Sequence, residues 1–137
     1  MSYNLFMKNL FKEYENEINF DTKIDELNLL QKQLELPAIK HKWVSRLINH
    51  KRELNNLLKK RKEIKEVVLQ KLDCIPKGIP KKVIELKIDS SEQIQIIDQE
   101  ISEINIMIEY LEKIEHIFKT MSYDLKNIVD ITKLETT

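Results

Sequence analysis

The sequence is poor in residues that break or reverse a chain. It holds one glycine, three prolines and one alanine in 137 residues, and two prolines and the glycine fall together in DCIPKGIPKK (73–82). That leaves little turn material. With 34% charged and 42% hydrophobic residues, the composition lies near the helical, coiled-coil class. Cys74 is alone, which excludes an intramolecular disulfide and a cysteine-based metal site. Tyrosine and phenylalanine are absent between residues 21 and 109, where Trp43 is the sole aromatic, so no base-stacking platform is visible. No apolar run approaches the roughly 18 residues of a membrane span. The stretch MSYNLFMKNLFKEYENEINF lacks the basic region and apolar block of a signal peptide. A soluble, intracellular protein without a membrane partner is expected.

Catalytic patterns are missing too. There is no Gly-rich phosphate loop, nucleophile elbow or H-E-x-x-H. His41, His50 and His116 lack a metal-ligand spacing, and Glu112/Glu115 read as part of a solvated acidic face. A non-enzyme without cofactor or metal is expected. What the chain does have is segregated charge beneath a net of zero. Residues 1–39 carry −3, residues 40–82 carry +10 with 14 basic and 4 acidic side chains, and residues 83–137 carry −7. Such asymmetry points to a polyanionic partner or to charge pairing between segments.

Apolar spacing gives the organisation. Residues 3–19 fit an amphipathic helix with Phe6, Leu10, Phe11, Tyr14 and Ile18 near one side. Asp21 or Thr22 can cap a second, short helix over Ile24 to Glu35, and Pro37 breaks or restarts the chain. A long helix of about 54 Å then runs over 37–72. Its seam is Trp43, Leu47, His50, Leu54, Leu57, Arg61, Ile64 and Val68, coiled-coil-like with two polar intrusions. Residues 73–89 form the connection, with VIELKI (83–88) extended or irregular. Ser90 or Ser91 caps a final helix over 90–135, whose seam runs Ile94, Ile97, Ile101, Ile104, Ile108, Leu111, Ile114, Phe118, Met121, Leu125, Ile128. The two long helices make an antiparallel hairpin turning near residue 81. That register sets Arg61 opposite Asp98 to Ile101 and His50 opposite Glu112, where ion pairs would explain both intrusions; a nucleic-acid role for Arg61 fits its position equally well. Ile96, Ile106, Tyr110, Ile117, Val129 and Ile131 fall off the seam. The final helix therefore needs a second partner, supplied by the first helices and by self-association.

The run Lys59-Lys60-Arg61-Lys62 is the most basic stretch. At 100° per residue it spans most of the helix circumference: Lys59 points away from the seam near Arg52, Lys62 lies on one flank with Lys51, Lys60 lies on the other with Lys42, and Arg61 points inward. Lys65 and Lys40 lie closer to the seam. Continued by Arg46, Lys71, Lys77, Lys81 and Lys82, these side chains make a basic rod end suited to tracking phosphates without reading bases.

The stretch IDELNLLQKQLELPAIKHKW (24–43), the basic helix ending in VVLQKLD (67–73), a short connection and YDLKNIVDITKLE (123–135) resemble the UvsY family of phage recombination mediators. The resemblance implies an all-α fold, a long antiparallel helical hairpin with short N-terminal helices (1–36), in a ring of six or seven subunits. It implies a protein of the infected host's cytoplasm that binds single-stranded DNA, displaces the phage single-strand-binding protein and helps a RecA-like recombinase assemble. In this reading Lys51, Arg52, Lys59, Lys60, Arg61, Lys62, Lys65 and Lys71 contact DNA, and Leu125, Ile128, Ile131 and Leu134 serve oligomerisation. The family's proposed contact motif, Leu-Lys-Ala-Arg and then Asp/Glu-Tyr-Tyr-x-Gly, is not kept. Lys71 matches its arginine, Leu69 replaces its lysine, and Cys74 and Ile75 replace its tyrosines. The alternative is a helical scaffold or chaperone-like coiled coil that binds no DNA, its basic half paired with acidic neighbours.

Overall fold

Ser2 starts the first element by accepting a hydrogen bond on Oγ from the Leu5 amide at 3.2 Å. In the computed structural model, which describes residues 2–71 and 78–136, the elements are α1 (Tyr3–Asp21), α2 (Leu29–Lys71), α3 (Lys81–Asp89) and α4 (Glu92–Thr136). Among the described residues the regular structure is all helical. At about 1.5 Å per residue, the 43 residues of α2 extend about 64 Å and the 45 of α4 about 68 Å.

α2 and α4 form the expected antiparallel pair. Along it Trp43 packs on Phe118, Lys51 meets Glu112 and Arg61 meets Asp98, so residue numbers run in opposite directions. From Ile94 to Leu125 the α4 seam is buried except at the half-buried Ile101; Ile128, at its end, is exposed. A second α4 stripe faces α1, where Met107 is buried against a cluster that includes Met7 and Tyr14, and Phe11 lies 4.4 Å from Tyr110 between ring centroids. α1 runs antiparallel to α2 and parallel to α4, in the groove between them. Its inward stripe is Tyr3, Met7, Leu10, Phe11, Tyr14 and Ile18. Phe6, expected inside, is exposed, because one residue later in the turn Met7 already points at the core.

Several local expectations change. Neither Asp21 nor Thr22 caps the second helix. Asp21 is the buried last residue of α1, and Thr22 closes α1 by donating from Oγ1 to the Ile18 carbonyl. Asp25 instead closes the turn that leads into α2: its Oδ1 accepts from the amides of Leu27 and Asn28 at 2.9 Å, while Asn28 Oδ1 accepts from the Asp25 amide at 2.8 Å. No separate helix ends before Pro37. The chain is helical from Leu29 through Pro37, which sits on the exposed face, where the carbonyl deprived of its amide partner can turn to water. Buried Lys32 and Leu36 before the proline and Trp43 after it hold both sides against the bundle.

The stretch 83–88 is not extended but lies within α3. Alternation places Ile84, Leu86 and Ile88 on one face. The structure instead buries Ile88 and half-buries Ile84, an i, i+4 pair, and leaves Leu86 68% exposed. Ile84 and Ile88 join Ile64 and Val68 of α2 and Ile94 of α4 in a small second core at the hairpin tip, which gives the short helix its partners. Of the connection at 73–82, residues 73–77 lie outside the described residues; Gly78 has φ 109°, a left-handed conformation that favours glycine. Ser91 Oγ accepts from the Ile94 amide to cap α4, and Ser90 Oγ donates to the Lys87 carbonyl at the end of α3.

At the junction of α1 and α2, Glu17 receives both Arg46 amino groups, at 2.5 and 3.2 Å, and Lys42 at 3.4 Å. The hydrogen bonds from Arg46, its charge and that of Lys42 hold the Glu17 carboxyl below its ordinary 4.5. A depressed carboxyl stabilises the fold above the ordinary value and stops doing so as pH falls through the folded value. The melting temperature should therefore drop as pH is lowered from about 5 to 3. Glu17→Gln, followed by circular dichroism, should show a smaller drop over that range; an unchanged profile would remove this pair as a contributor.

Candidate nucleic-acid interface

The basic side chains of α2 divide by what they touch. Nearest the start of the helix's basic stretch, Lys42 Nζ and Trp43 Nε1 both reach the buried Asp21 Oδ2, at 2.6 and 2.9 Å. The Arg46 guanidinium lies over the rings of Tyr14 and Trp43, 4.7 and 4.8 Å from their centroids, while it grips Glu17. Both cations, which the sequence sets among the exposed flanks, are internal ties between α1 and α2. The signal for this is available in the sequence: Glu17/Asp21 and Lys42/Arg46 are both spaced by four and have opposite sign, so they match across two helices.

His50 is a packed core histidine, as its seam position suggests, but its partner is not Glu112. Its Nε2 lies 3.1 Å from the Tyr14 hydroxyl and its Nδ1 3.2 Å from Glu53 Oε2. Tyr3 donates to the other oxygen of Glu53 at 3.3 Å. Burial, reinforced by Glu53, pushes the Tyr3 hydroxyl well above its ordinary value, and burial raises Tyr14 likewise. His50 turns toward α1 because α1 occupies that side of α2, and the neighbouring Lys51 takes Glu112 at 3.5 Å.

The expected Arg61 contact is present. Its Nε donates to Asp98 Oδ1 at 2.6 Å and a terminal nitrogen lies 3.5 Å from Asp89. The Asp98 hydrogen bond pushes the guanidinium above its ordinary value. Arg61 thus ties α2 to α4 and to the end of α3, and of the eight residues expected to contact DNA it and Lys51 are ion-paired within the fold. The other six, Arg52, Lys59, Lys60, Lys62, Lys65 and Lys71, make no ion pair with a described carboxylate. All are exposed except the half-buried Lys65. They surround the last five turns of α2, with Lys59 and Arg52 on the side opposite the seam. The exposed Leu58, Val67 and Leu69 lie among them. Cys74 and Ile75, at the positions of the family's tyrosines, lie outside the described residues.

The four residues assigned to oligomerisation do not share one environment. Leu125 is 1% exposed within the subunit's own core, whereas Ile128, Ile131 and Leu134 are on the surface. Phe20, Leu27, Leu30 and Leu34, not singled out by their spacing, are exposed near the same end of the molecule, where Ile24 and Leu29 line a hollow with Ile128. The subunit is therefore apolar at one end, while at the other the unpaired cations gather on α2 beside Glu85, Asp89, Glu92 and Asp98 of α3 and α4. Among the described residues no cluster of potential metal ligands occurs.

A family model described as recombination, repair and ssDNA binding protein UvsY matches residues 17–137. Crystal structures of the bacteriophage T4 recombination mediator protein UvsY are similar in fold. One, in lattice type II, has a TM-score of 0.79 at 15% identity over 92% of this chain and 97% of that chain. Another, in lattice type I, has a TM-score of 0.78 at 15% identity over 90% and 98%. No curated protein matches this sequence significantly.

The two classes of cation should separate in stability measurements. Arg61→Ala should lower unfolding free energy by about 1 kcal/mol, since it breaks a two-carboxylate tie and strips packing from the stem, whereas Lys59→Ala should change it by less than about 0.5 kcal/mol. Urea denaturation decides; equal losses would refute the division.

Proposed function

Because the chain belongs to the UvsY family, we propose that it is a non-enzymatic recombination mediator that holds single-stranded DNA by its phosphates. The observation that carries this reading is the set of six α2 cations left without a described acidic partner when the bundle is assembled. Four of them, Lys59, Lys60, Lys62 and Lys65, crowd within two turns where Glu63 and Glu66 are the only acids, so positive charge stays in excess and an added polyanion relieves it. Contacts of this kind release counterions and carry no base information. The scaffold alternative has its own support, since Lys42, Arg46, Lys51 and Arg61 do pair with acidic neighbours. It leaves the tip of α2 unexplained.

The remaining features of the reading rest on the family. The protein assembles as a ring of six or seven subunits through the apolar end that carries Ile128 and Ile131. It works in the cytoplasm of the infected host, where it helps a RecA-like recombinase replace the single-strand-binding protein. Among the described residues no helix is long and apolar enough to cross a membrane.

Binding of labelled oligo(dT), measured by anisotropy across a salt series, tests the first part. If all six cations reach phosphates, the log–log slope per subunit should be about −4, and Lys59, Lys62 and Lys65 changed together to alanine should reduce its magnitude by about 2. A folded protein that ignores oligo(dT) at low salt would sink the mediator reading. For the assembly, light scattering should give six or seven subunits, and Ile131→Glu should shift the population to smaller species. A monomeric native protein at micromolar concentration would count against the ring.

A further inference from the structure

We propose that a notch between α2 and α4 receives one nucleobase from the bound strand, so that DNA contact is not confined to phosphates. This rests on the DNA-binding reading above and adds a base subsite to it. The notch has a volume of about 210 Å³ and is lined by Lys40, Trp43, Val44, Glu115, Phe118 and Lys119. No α1 residue lines it, so it opens on the side of the hairpin that α1 leaves uncovered.

Three observations suit a single base. The size is below the roughly 300 Å³ at which sites for drug-sized ligands begin, which leaves room for one ring system. The floor is aromatic and aliphatic. Trp43 and Phe118 line it but are only 2% and 1% exposed, with ring centroids 6.5 Å apart, so they offer a base a narrow apolar strip beside the Val44 side chain rather than an open face. The rim is charged: Lys40 and Lys119 make no ion pair with a described residue and can flank the phosphates on either side, while the Glu115 carboxylate can accept from a base N–H. An apolar floor with one acceptor and two cations at the mouth complements a nucleotide better than it does an aliphatic side chain.

The notch lies on the same flank of α2 as part of the basic rod, although Lys51, the one cation of that flank between Lys40 and Lys62, is paired with Glu112. Lys40, Val44, Lys51, Leu58, Lys62, Lys65 and Leu69 succeed one another at steps of three, four or seven residues, which keeps them on one flank of α2. From Lys65 to Lys40 that flank covers about 38 Å at 1.5 Å per residue. A strand that tracks it from the hairpin tip arrives at the notch.

Trp43 is the only tryptophan, so its emission reports on this place alone. At saturation, checked by anisotropy, an ordinary oligonucleotide should lower Trp43 emission, and an abasic oligonucleotide of equal length should leave it unchanged. Val44→Phe, which narrows the notch, should remove the quench by an ordinary strand; if that variant does not fold, the wild-type comparison decides. Equal emission with both bound strands overturns the base subsite and leaves phosphate binding standing. Failure of both strands to bind removes the DNA reading and the subsite together.

Discussion

The buried carboxylate of Asp21 sets the arrangement of the helices. At 6% exposure its oxygens need hydrogen-bond partners in place of water, and Lys42 and Trp43 of α2 provide them at 2.6 and 2.9 Å. One turn earlier Glu17 binds Arg46 through two hydrogen bonds. Together these contacts fix the direction of α1 along α2, and they align the whole inner face of α1. Tyr14 packs against Trp43 and reaches His50, Met7 joins Met107, and Phe11 meets Tyr110. A final helix that is apolar on two sides thus acquires two partners within one subunit. Apolar side chains of α4 that stay exposed include Ile96, Ile106, Ile117, Ile128 and Ile131.

The same junction sorts the positive charge. Segment 40–82 carries +10, yet part of it is neutralised by α1 and α4, through Lys42, Arg46, Lys51 and Arg61. Unpaired charge concentrates beyond residue 52, away from the apolar end. Self-repulsion there costs stability, and the cost is tolerable because the side chains are solvated and screened. Arg61 shows that proximity in sequence does not mean shared purpose: within Lys59-Lys60-Arg61-Lys62 it alone points into the bundle.

Much of the fold is legible in the sequence. The α4 seam reads correctly to Leu125, and the hairpin register is right closely enough to pair Arg61 with Asp98. Long helices with regular apolar spacing leave few alternatives, and an antiparallel pair of known turn position fixes which residues face. The failures are local and share a cause. Pro37 reads as a break because proline is costly in a helix, but buried side chains on both sides keep the helix whole. Alternation over 83–88 suggests extended chain, yet six residues cannot distinguish it from an i, i+4 pair until a partner surface selects one face. His50 reads as facing α4, when α1 stands closer. In the proposed DNA set, eight cations look alike in sequence; pairing with Glu112, Asp98 and Asp89 sets two apart.

By itself the sequence determined that the chain is helical, that its two long helices pair antiparallel, and that positive charge gathers in the middle third. Those properties arise from composition and from spacing along one chain. Only the tertiary structure decided which charges are internal ties and which face water, that 83–88 is a helix, and that Trp43 and Phe118 floor a notch. Each of these depends on which surface lies opposite a given side chain, and that is a property of packed elements, which no single stretch of sequence contains.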